Sequence, residues 1–201
     1  MAILGRERWN VFELRDLLGI VSPDLLAACT TDATGRDVVL SGFFSSTRIF
    51  PHHHPDPEHL EKTEAALARL GIEHLAGRSV AQMSSGEAKR TLIARALVHN
   101  PQTLLFDEPS NALDISAQFQ LRDTMRELAH HGGQAQSGLA ILLVTHHVSE
   151  IIPEIERVIL LRAGRVIADG AKEAILTEAN LRELFGVKVK LQRQDGFFHI
   201  Y

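Results

Sequence analysis

The sequence contains a single cysteine, Cys29, among 201 residues. One cysteine excludes a disulfide bond within the chain and is typical of proteins from reducing compartments. No histidine, lysine or arginine stands beside Cys29 to activate its thiol. We therefore expect a small, buried apolar side chain at this position rather than a nucleophile.

Long hydrophobic runs are also lacking. The longest apolar run, Leu139 to Val144, is far shorter than the roughly 20 residues that cross a bilayer. The first residues include no apolar stretch of the length that a signal peptide requires. We expect a cytoplasmic protein, and peripheral attachment to the inner face of the membrane stays open.

An excess of basic residues is absent as well. The chain has 21 lysines and arginines against 25 aspartates and glutamates, a net charge of −4. Because no basic block is present, nucleic acid is not expected as a partner. The apolar fraction of 45% and the charged fraction of 23% are ordinary for a globular protein, and 201 residues suffice for one domain with a full core.

The residue pattern of the chain changes along its length. From Val21 to Ser85 it is loop-rich, with three prolines between residues 51 and 57. Within this region the apolar spacing of Glu58 to Leu70 predicts an amphipathic helix that starts at Asp56 or Pro57. We interpret residues from about 24 to 85 as a helical insertion.

From Gly86 onward, predicted helices alternate with apolar strands. Helices are predicted at Glu87 to His99, at Ile115 to His131 with Asp114 as its cap, and near Leu181 to Phe185. Strands buried on both faces are predicted at Thr103 to Phe106 and Leu139 to Val144, a strand pair at Val158 to Leu161 and Gly164 to Ala168, and two weaker strands at Val187 to Leu191 and Phe197 to Tyr201. This alternation predicts an α/β fold with a parallel sheet. We expect a core over residues 86–170 and a C-terminal extension over residues 171–201.

Two acidic residues, Asp107 and Glu108, end the first of the predicted buried strands. The carboxyl ends of parallel strands are where α/β folds bind their ligands. Asp107 is therefore a candidate ligand of Mg²⁺, and Glu108 a candidate to polarise an attacking water. A solvated acidic turn is the alternative.

A second group of polar residues, Met83 to Glu87, immediately precedes a predicted helix. Ser84, Ser85 and Gly86 would offer free backbone N–H groups and the positive end of the helix dipole to a phosphate. The alternative is an ordinary serine cap, with Glu87 as the acidic residue of the first turn.

Two further motifs follow the acids. Ser110 to Asp114 forms a turn that leads into the capped helix, and His146 comes directly after the next predicted strand. A histidine there could donate a hydrogen bond to a terminal phosphate or cap the helix that follows.

The four motifs together, in this order and spacing, resemble those of the ATP-binding cassette (ABC) family. Residues 83–87 resemble its signature motif, residues 104–108 its Walker B strand, residues 110–114 its D-loop, and His146 its switch histidine. Residues 18–23 resemble the run into its Q-loop. The resemblance extends from Ile3 to about Gly170. It implies a P-loop NTPase-like parallel sheet with a helical insertion, in a single domain over residues 1–201.

The resemblance also implies ATP and Mg²⁺ as ligands, and a head-to-tail dimer with a second ABC domain, identical or different. Asp107 would hold the metal, Glu108 would be the general base, and His146 would stabilise the developing phosphate charge. Residues contacting a nucleotide held by the partner would be Ser84, Ser85, Gly86, Glu87 and Asp114. In the family, the insertion docks partner proteins, often membrane-spanning subunits.

The sequence departs from the family pattern in four places. No glycine-rich GxxxxGK[ST] loop occurs in the 201 residues. The family places that loop before the segment that resembles residues 1–21, so we expect the reading frame to continue upstream and the domain to be N-terminally incomplete. Pro23 stands near the position of the Q-loop glutamine. Ser85 and Glu87 replace a glycine and a glutamine of the usual signature.

Two classes of function remain open on these grounds. One is a working, transport-coupled ABC ATPase. The other is a non-hydrolysing module that supplies its signature motif to a complete partner, or a decayed remnant. Asp107, Glu108 and His146 favour the first, because a site without activity has no need of them.

The adjacent histidines His52, His53 and His54 are a separate candidate site. Three neighbouring imidazoles could bind a transition metal, but adjacent residues do not converge easily on one ion. An exposed loop between Pro51 and Pro55 is the favoured interpretation.

Overall fold

The computed structural model describes residues 8–29, 32–132 and 138–201. The predicted resemblance begins at Ile3, which lies outside these residues. The chain divides into two compact units, Met1–Val144 and Thr145–Tyr201. In the described part of the chain, no helix combines the length and the apolar character that crossing a membrane requires.

The first unit combines helices with a small sheet. Its elements in chain order are α1 (Val11–Leu17), β1 (Leu18–Val21), α2 (Pro23–Ala28), α3 (Gly35–Leu40), α4 (Pro57–Arg69), α5 (Ser85–Leu97), β2 (Thr103–Asp107), α6 (Ile115–Gly132) and β3 (Ala140–Val144). Short 3₁₀ helices cover Ser41–Phe44, Glu73–Leu75 and Val80–Gln82.

The sheet of the first unit is parallel, with strand order β1-β2-β3. Its central strand, β2, pairs Phe106 with Val21 on one side and with Leu143 on the other. The last residue of β2, Asp107, pairs with Val144. The carboxyl ends of the three strands therefore meet at one edge, as the α/β prediction requires.

Helix α5 packs directly on β1, and a glycine makes the close approach possible. A Cβ atom added to Gly19 would lie 2.3 Å from the carbonyl oxygen of Ala96 and 2.8 Å from Leu104 Cδ1. Both distances are shorter than van der Waals contact, so Gly19 lets the backbones of α5 and β1 meet.

Helices α3 and α4 and the segment after α4 also pack on α5. A core cluster joins α3, α4, α5 and the segment after α4, and its fully buried members include Val39, Leu67, Ile72, Leu75 and Ala94. Buried Arg95 of α5 fastens the segment after α3, because its Nη2 donates to the carbonyl of Ser46 at 2.7 Å and its Nε to Ser41 Oγ at 3.3 Å.

Local capping explains why the predicted helix of the insertion forms where it does. Asp56 Oδ1 accepts from the amide of His59 at 2.9 Å, and His59 Nδ1 accepts from the amide of Asp56 at 3.3 Å. Pro57 occupies the first helical position, where its missing N–H costs nothing. The predicted start of this helix is confirmed.

The second unit is built from two hairpins and two short helices. Its elements are β4 (Arg157–Arg162), β5 (Arg165–Ala171), α7 (Lys172–Ile175), α8 (Glu178–Phe185), β6 (Leu191–Gln194) and β7 (Phe197–Ile200), after a 3₁₀ helix at Val148–Glu150. Strands β4 and β5 are antiparallel, as are β6 and β7. The core includes Val158, Leu160 and Leu181.

Two of the predicted strands differ from the structure. β3 was expected to be covered on both faces, yet Leu142 is 54% and Val144 47% exposed. The expectation was wrong because β3 lies at the edge of the described sheet, where a continuous apolar run need not be buried. The predicted strand Val187 to Leu191 was also wrong, since the strand begins only at Leu191.

The fold class and the burial of the cysteine agree with the expectations from sequence. The α/β class with a parallel sheet is confirmed, and Cys29 is buried at 5% exposure. Burial raises the pKa of the Cys29 thiol, which disfavours the reactive thiolate.

Candidate functional site

The two acidic residues lie where β2 ends and the chain turns. Asp107 is exposed and is the last residue of β2, and the half-buried Glu108 follows it. Glu108 has a φ of 42°, in the left-handed region. Such a conformation costs a residue other than glycine on the order of 1–3 kcal/mol and persists where surrounding contacts fix it.

Two backbone hydrogen bonds fix that turn. The amide of Glu108 donates to the carbonyl of Val144 at 2.9 Å, and the amide of Asn111 donates to the carbonyl of Glu108 at 3.2 Å. The first bond ties the acidic turn to the end of β3. The acids are therefore held at the carboxyl edge of the sheet.

Asp114 ends the turn and caps α6. Its Oδ1 accepts from the amide of Ala117 at 2.8 Å, and the amide of Leu113 donates to the carbonyl of Ser110 at 3.0 Å. The predicted cap is confirmed, and one carboxylate oxygen of Asp114 is occupied by it.

The signature-like segment forms a closed capping box at the start of α5. Ser84 Oγ accepts from the amide of Glu87 at 3.2 Å, and Glu87 Oε2 accepts from the amide of Ser84 at 2.8 Å. A serine cap with Glu87 in the first turn is therefore present. Ser85 and Gly86 occupy the first two positions of α5, where the N–H groups have no carbonyl of the same helix to bond and point along the positive end of the helix dipole.

The second carboxylate oxygen of Glu87 is paired with basic side chains. Its Oε1 lies 3.1 Å from Arg78 Nη1 and 3.9 Å from His74 Nε2. The hydrogen bond from the Ser84 amide is the main cause that lowers the pKa of Glu87, and the charges of Arg78 and His74 add to it. Neither basic partner is apparent from the sequence, since no helical spacing links Arg78 or His74 to Glu87.

The start of α5 lies against the first turn of α6. A Cβ atom on Gly86 would be 3.1 Å from Ala117 Cβ. This approach brings the signature-like segment next to the helix that Asp114 caps. The described structure thus places Gly86 near the D-loop-like turn, within the first unit.

His146 belongs to the second unit. Its ring is exposed, and its centroid is 3.9 Å from that of His147. Thr145 Oγ1 accepts from the amide of His147 at 2.9 Å and donates to Glu150 Oε2 at 2.5 Å. Sequence reasoning missed this use of Thr145 and Glu150.

The candidate residues differ in whether they suit the metal ion or the phosphates of a nucleotide. In residues 8–29, 32–132 and 138–201, no group of three or more His, Cys, Asp and Glu side chains is arranged to hold a metal ion. Mg²⁺ bound to nucleotide phosphates keeps several waters and needs only one or two protein carboxylates. The exposed Asp107 fits that need, and the amides of Ser85 and Gly86 fit a phosphate.

The three-histidine segment forms part of an aromatic cluster. His52 and His54 are exposed, as expected for a loop, whereas half-buried His53 stacks on Phe44 with a centroid distance of 4.4 Å. The ring of Phe50 is 5.5 Å from that of His53.

Comparisons with known proteins point to one family. The family model described as ABC transporter matches residues 22–111. The uncharacterized ABC transporter ATP-binding protein YlmA of Bacillus subtilis is 33% identical over 98% of this chain and 74% of its own length. The aliphatic sulfonates import ATP-binding protein SsuB of Shigella flexneri is 40% identical over 84% of this chain and 69% of its own length.

A solved structure agrees. That of cbiO1 from Clostridium perfringens, part of the ABC transporter complex cbiONQ, has a TM-score of 0.69 and 26% identity, covering 90% of this chain and 69% of its own. The fold is therefore that of ABC ATPase domains, and this chain belongs to the ATP-binding proteins of the ABC transporter family.

Proposed function

We propose that this protein hydrolyses ATP as the transport-coupled, nucleotide-binding subunit of an ABC system. Both units would form one domain, with an insertion at about residues 24–85, a catalytic core at 86–170 and an extension at 171–201. The observation that carries the proposal is the acid pair, Asp107 and Glu108, held by hydrogen bonds at the carboxyl edge of a parallel sheet.

Within that proposal Asp107 and Glu108 have different roles. Bound Mg²⁺ would neutralise charge on the phosphates, and Asp107 would hold it, directly or through water. Glu108 would accept a proton from the attacking water, an effect commonly worth about 10²–10⁴ in rate. The fixed backbone turn at Glu108 would keep its carboxylate in place for this step.

The remaining candidate residues would act on the phosphates. The amides of Ser85 and Gly86 and the hydroxyl of Ser84 would contact the nucleotide of a facing ABC domain, next to Glu87 and Asp114. His146 would donate a hydrogen bond to the terminal phosphate. The partners would be a second ABC domain and a membrane-spanning subunit, which would keep the protein at the inner face of the membrane.

The test is Glu108→Gln in the complete natural protein that contains these residues. The substitution keeps size and hydrogen bonding but removes the base, so kcat should fall about 10²–10⁴-fold while ATP affinity stays unchanged. Glu127→Gln, at an exposed position of α6, is the matched control and should leave both values unchanged. Hydrolysis by Glu108→Gln at the unsubstituted rate would refute the role of Glu108 as base.

A further inference from the structure

The start of α5 carries a negatively charged side chain at the place where the proposed function requires a negatively charged phosphate to bind. Glu87 lies in the first turn of α5, together with the amides of Ser85 and Gly86. A carboxylate there stabilises the helix through the dipole but repels a phosphate that approaches the same amides. The usual signature of the family has a neutral glutamine at this position, so this chain has a charge to offset.

Both oxygens of the Glu87 carboxylate have partners in the structure. Glu87 Oε2 accepts from the Ser84 amide, and Glu87 Oε1 pairs with Arg78 Nη1 at 3.1 Å. The side chain of Glu87 is 20% exposed, against 41% for Arg78. The carboxylate thus lies partly covered, and the guanidinium is the more exposed member of the pair.

The backbone of Arg78 is anchored independently of this pair. Its amide donates to the carbonyl of Leu75 at 3.0 Å, and its carbonyl accepts from the amide of Gly35 at 3.0 Å. A Cβ on Gly35 would lie 2.4 Å from the carbonyl oxygen of Leu75, so the segments pack closely. The backbone of Arg78 is therefore fixed next to α5, in the segment that follows α4.

We propose that Arg78 is a positioning residue that neutralises Glu87 and so allows the start of α5 to accept the terminal phosphates of ATP. The inference rests on the proposed function. Ser84 Oγ accepts from the Glu87 amide, and the amides of Ser85 and Gly86 precede the first hydrogen bonds within α5. Arg78 acts through Glu87 and does not itself touch the nucleotide.

A purely structural ion pair makes a different prediction. If the pair only fastened the segment after α4 to α5, Arg78→Met and Glu87→Gln would each break it and would weaken association alike. If Arg78 offsets charge, Arg78→Met weakens association while Glu87 is present, and Glu87→Gln does not. The two roles therefore separate in a double-mutant cycle.

The experiment compares Arg78→Met, Glu87→Gln and the double variant in the complete natural protein carrying Glu108→Gln, in which bound ATP persists. ATP-dependent association of the ABC domains is followed by light scattering as ATP is titrated. We expect Arg78→Met to raise the ATP concentration at half-association about tenfold, an effect that weakens at about 1 M salt. Glu87→Gln alone should lower that concentration, because the repelling carboxylate is gone, and Arg78→Met should have a much smaller effect in its presence. Arg78→Lys, which keeps the charge, should retain most of the association.

The outcomes are distinct. The inference would be overturned by an equal loss from Arg78→Met with Glu87 intact and with Glu87→Gln, or by no loss in either background. It would also be overturned by a loss from Glu87→Gln alone as large as that from Arg78→Met. Thermal unfolding of each variant shows whether a loss reflects folding. Absence of any ATP-dependent association in the protein with Arg78 and Glu87 intact would instead refute the proposed function.

Discussion

Thr145 and Glu150 are joined by a 2.5 Å hydrogen bond in which the threonine hydroxyl donates to the carboxylate. The same hydroxyl oxygen accepts from the amide of His147, and Glu150 is only 6% exposed. Together the two bonds close the turn that carries His146. The turn and the orientation of its imidazole should therefore depend on Thr145.

We predict that Thr145→Val destabilises the protein by about 1–3 kcal/mol, because a buried carboxylate oxygen loses a donor that an isosteric methyl cannot replace. The free energy of unfolding in urea measures this. Nitrogen-15 spectra of the His146 imidazole should also shift. Thr145→Ser retains the hydroxyl and should be close to the unsubstituted protein. Equal stability and unchanged His146 spectra in Thr145→Val would show that the bond does not hold the turn.

The second prediction concerns the contact between α5 and β1. Gly19→Ala should destabilise the protein by about 3 kcal/mol, since its Cβ would meet the Ala96 carbonyl oxygen at 2.3 Å and the backbone must move. Gly77→Ala is the matched control, because a Cβ at Gly77 meets no atom within 4 Å in the described structure. Urea unfolding of the two variants should differ clearly, and equal midpoints would contradict the packing described here.

The elements that sequence predicted well are those with local causes. The start of α4 follows from Asp56, Pro57 and His59, and the start of α6 from Asp114, within one turn of each helix. The turn at Asp195 and Gly196, with φ values of 51° and 81°, also has a local cause, because Asp and Gly accept left-handed backbone more readily than other residues.

The elements that sequence did not predict depend on distant neighbours. The strand Leu18–Val21 has only four residues and is defined by its pairing with β2, which begins at Thr103. The exposure of Leu142 depends on which strand or helix covers β3, and the apolar run alone does not contain that information.

In the candidate site, too, contacts between near neighbours in sequence could be predicted and contacts between distant residues could not. The cap at Ser84 and its partner Glu87 are three residues apart, a spacing with a known local meaning. Arg78, nine residues before Glu87, reaches it because the segment after α4 packs on α5. The acid pair was recognisable in sequence, but the left-handed turn at Glu108 was not.

The last prediction concerns how stability depends on pH through Glu87. Its pKa is lowered in the folded protein from the ordinary value of 4.5, first by the hydrogen bond from the Ser84 amide. A carboxyl group with a depressed folded pKa contributes stability above its unfolded pKa and loses that contribution as pH falls through its folded pKa. The stability advantage of the unsubstituted protein over Glu87→Gln should therefore be constant well above pH 4.5 and shrink below it. Urea unfolding of both proteins across this pH range measures the difference. An advantage that grew on acidification would mean that the folded state raises the pKa of Glu87, which the hydrogen bond from Ser84 and the ion pair with Arg78 oppose.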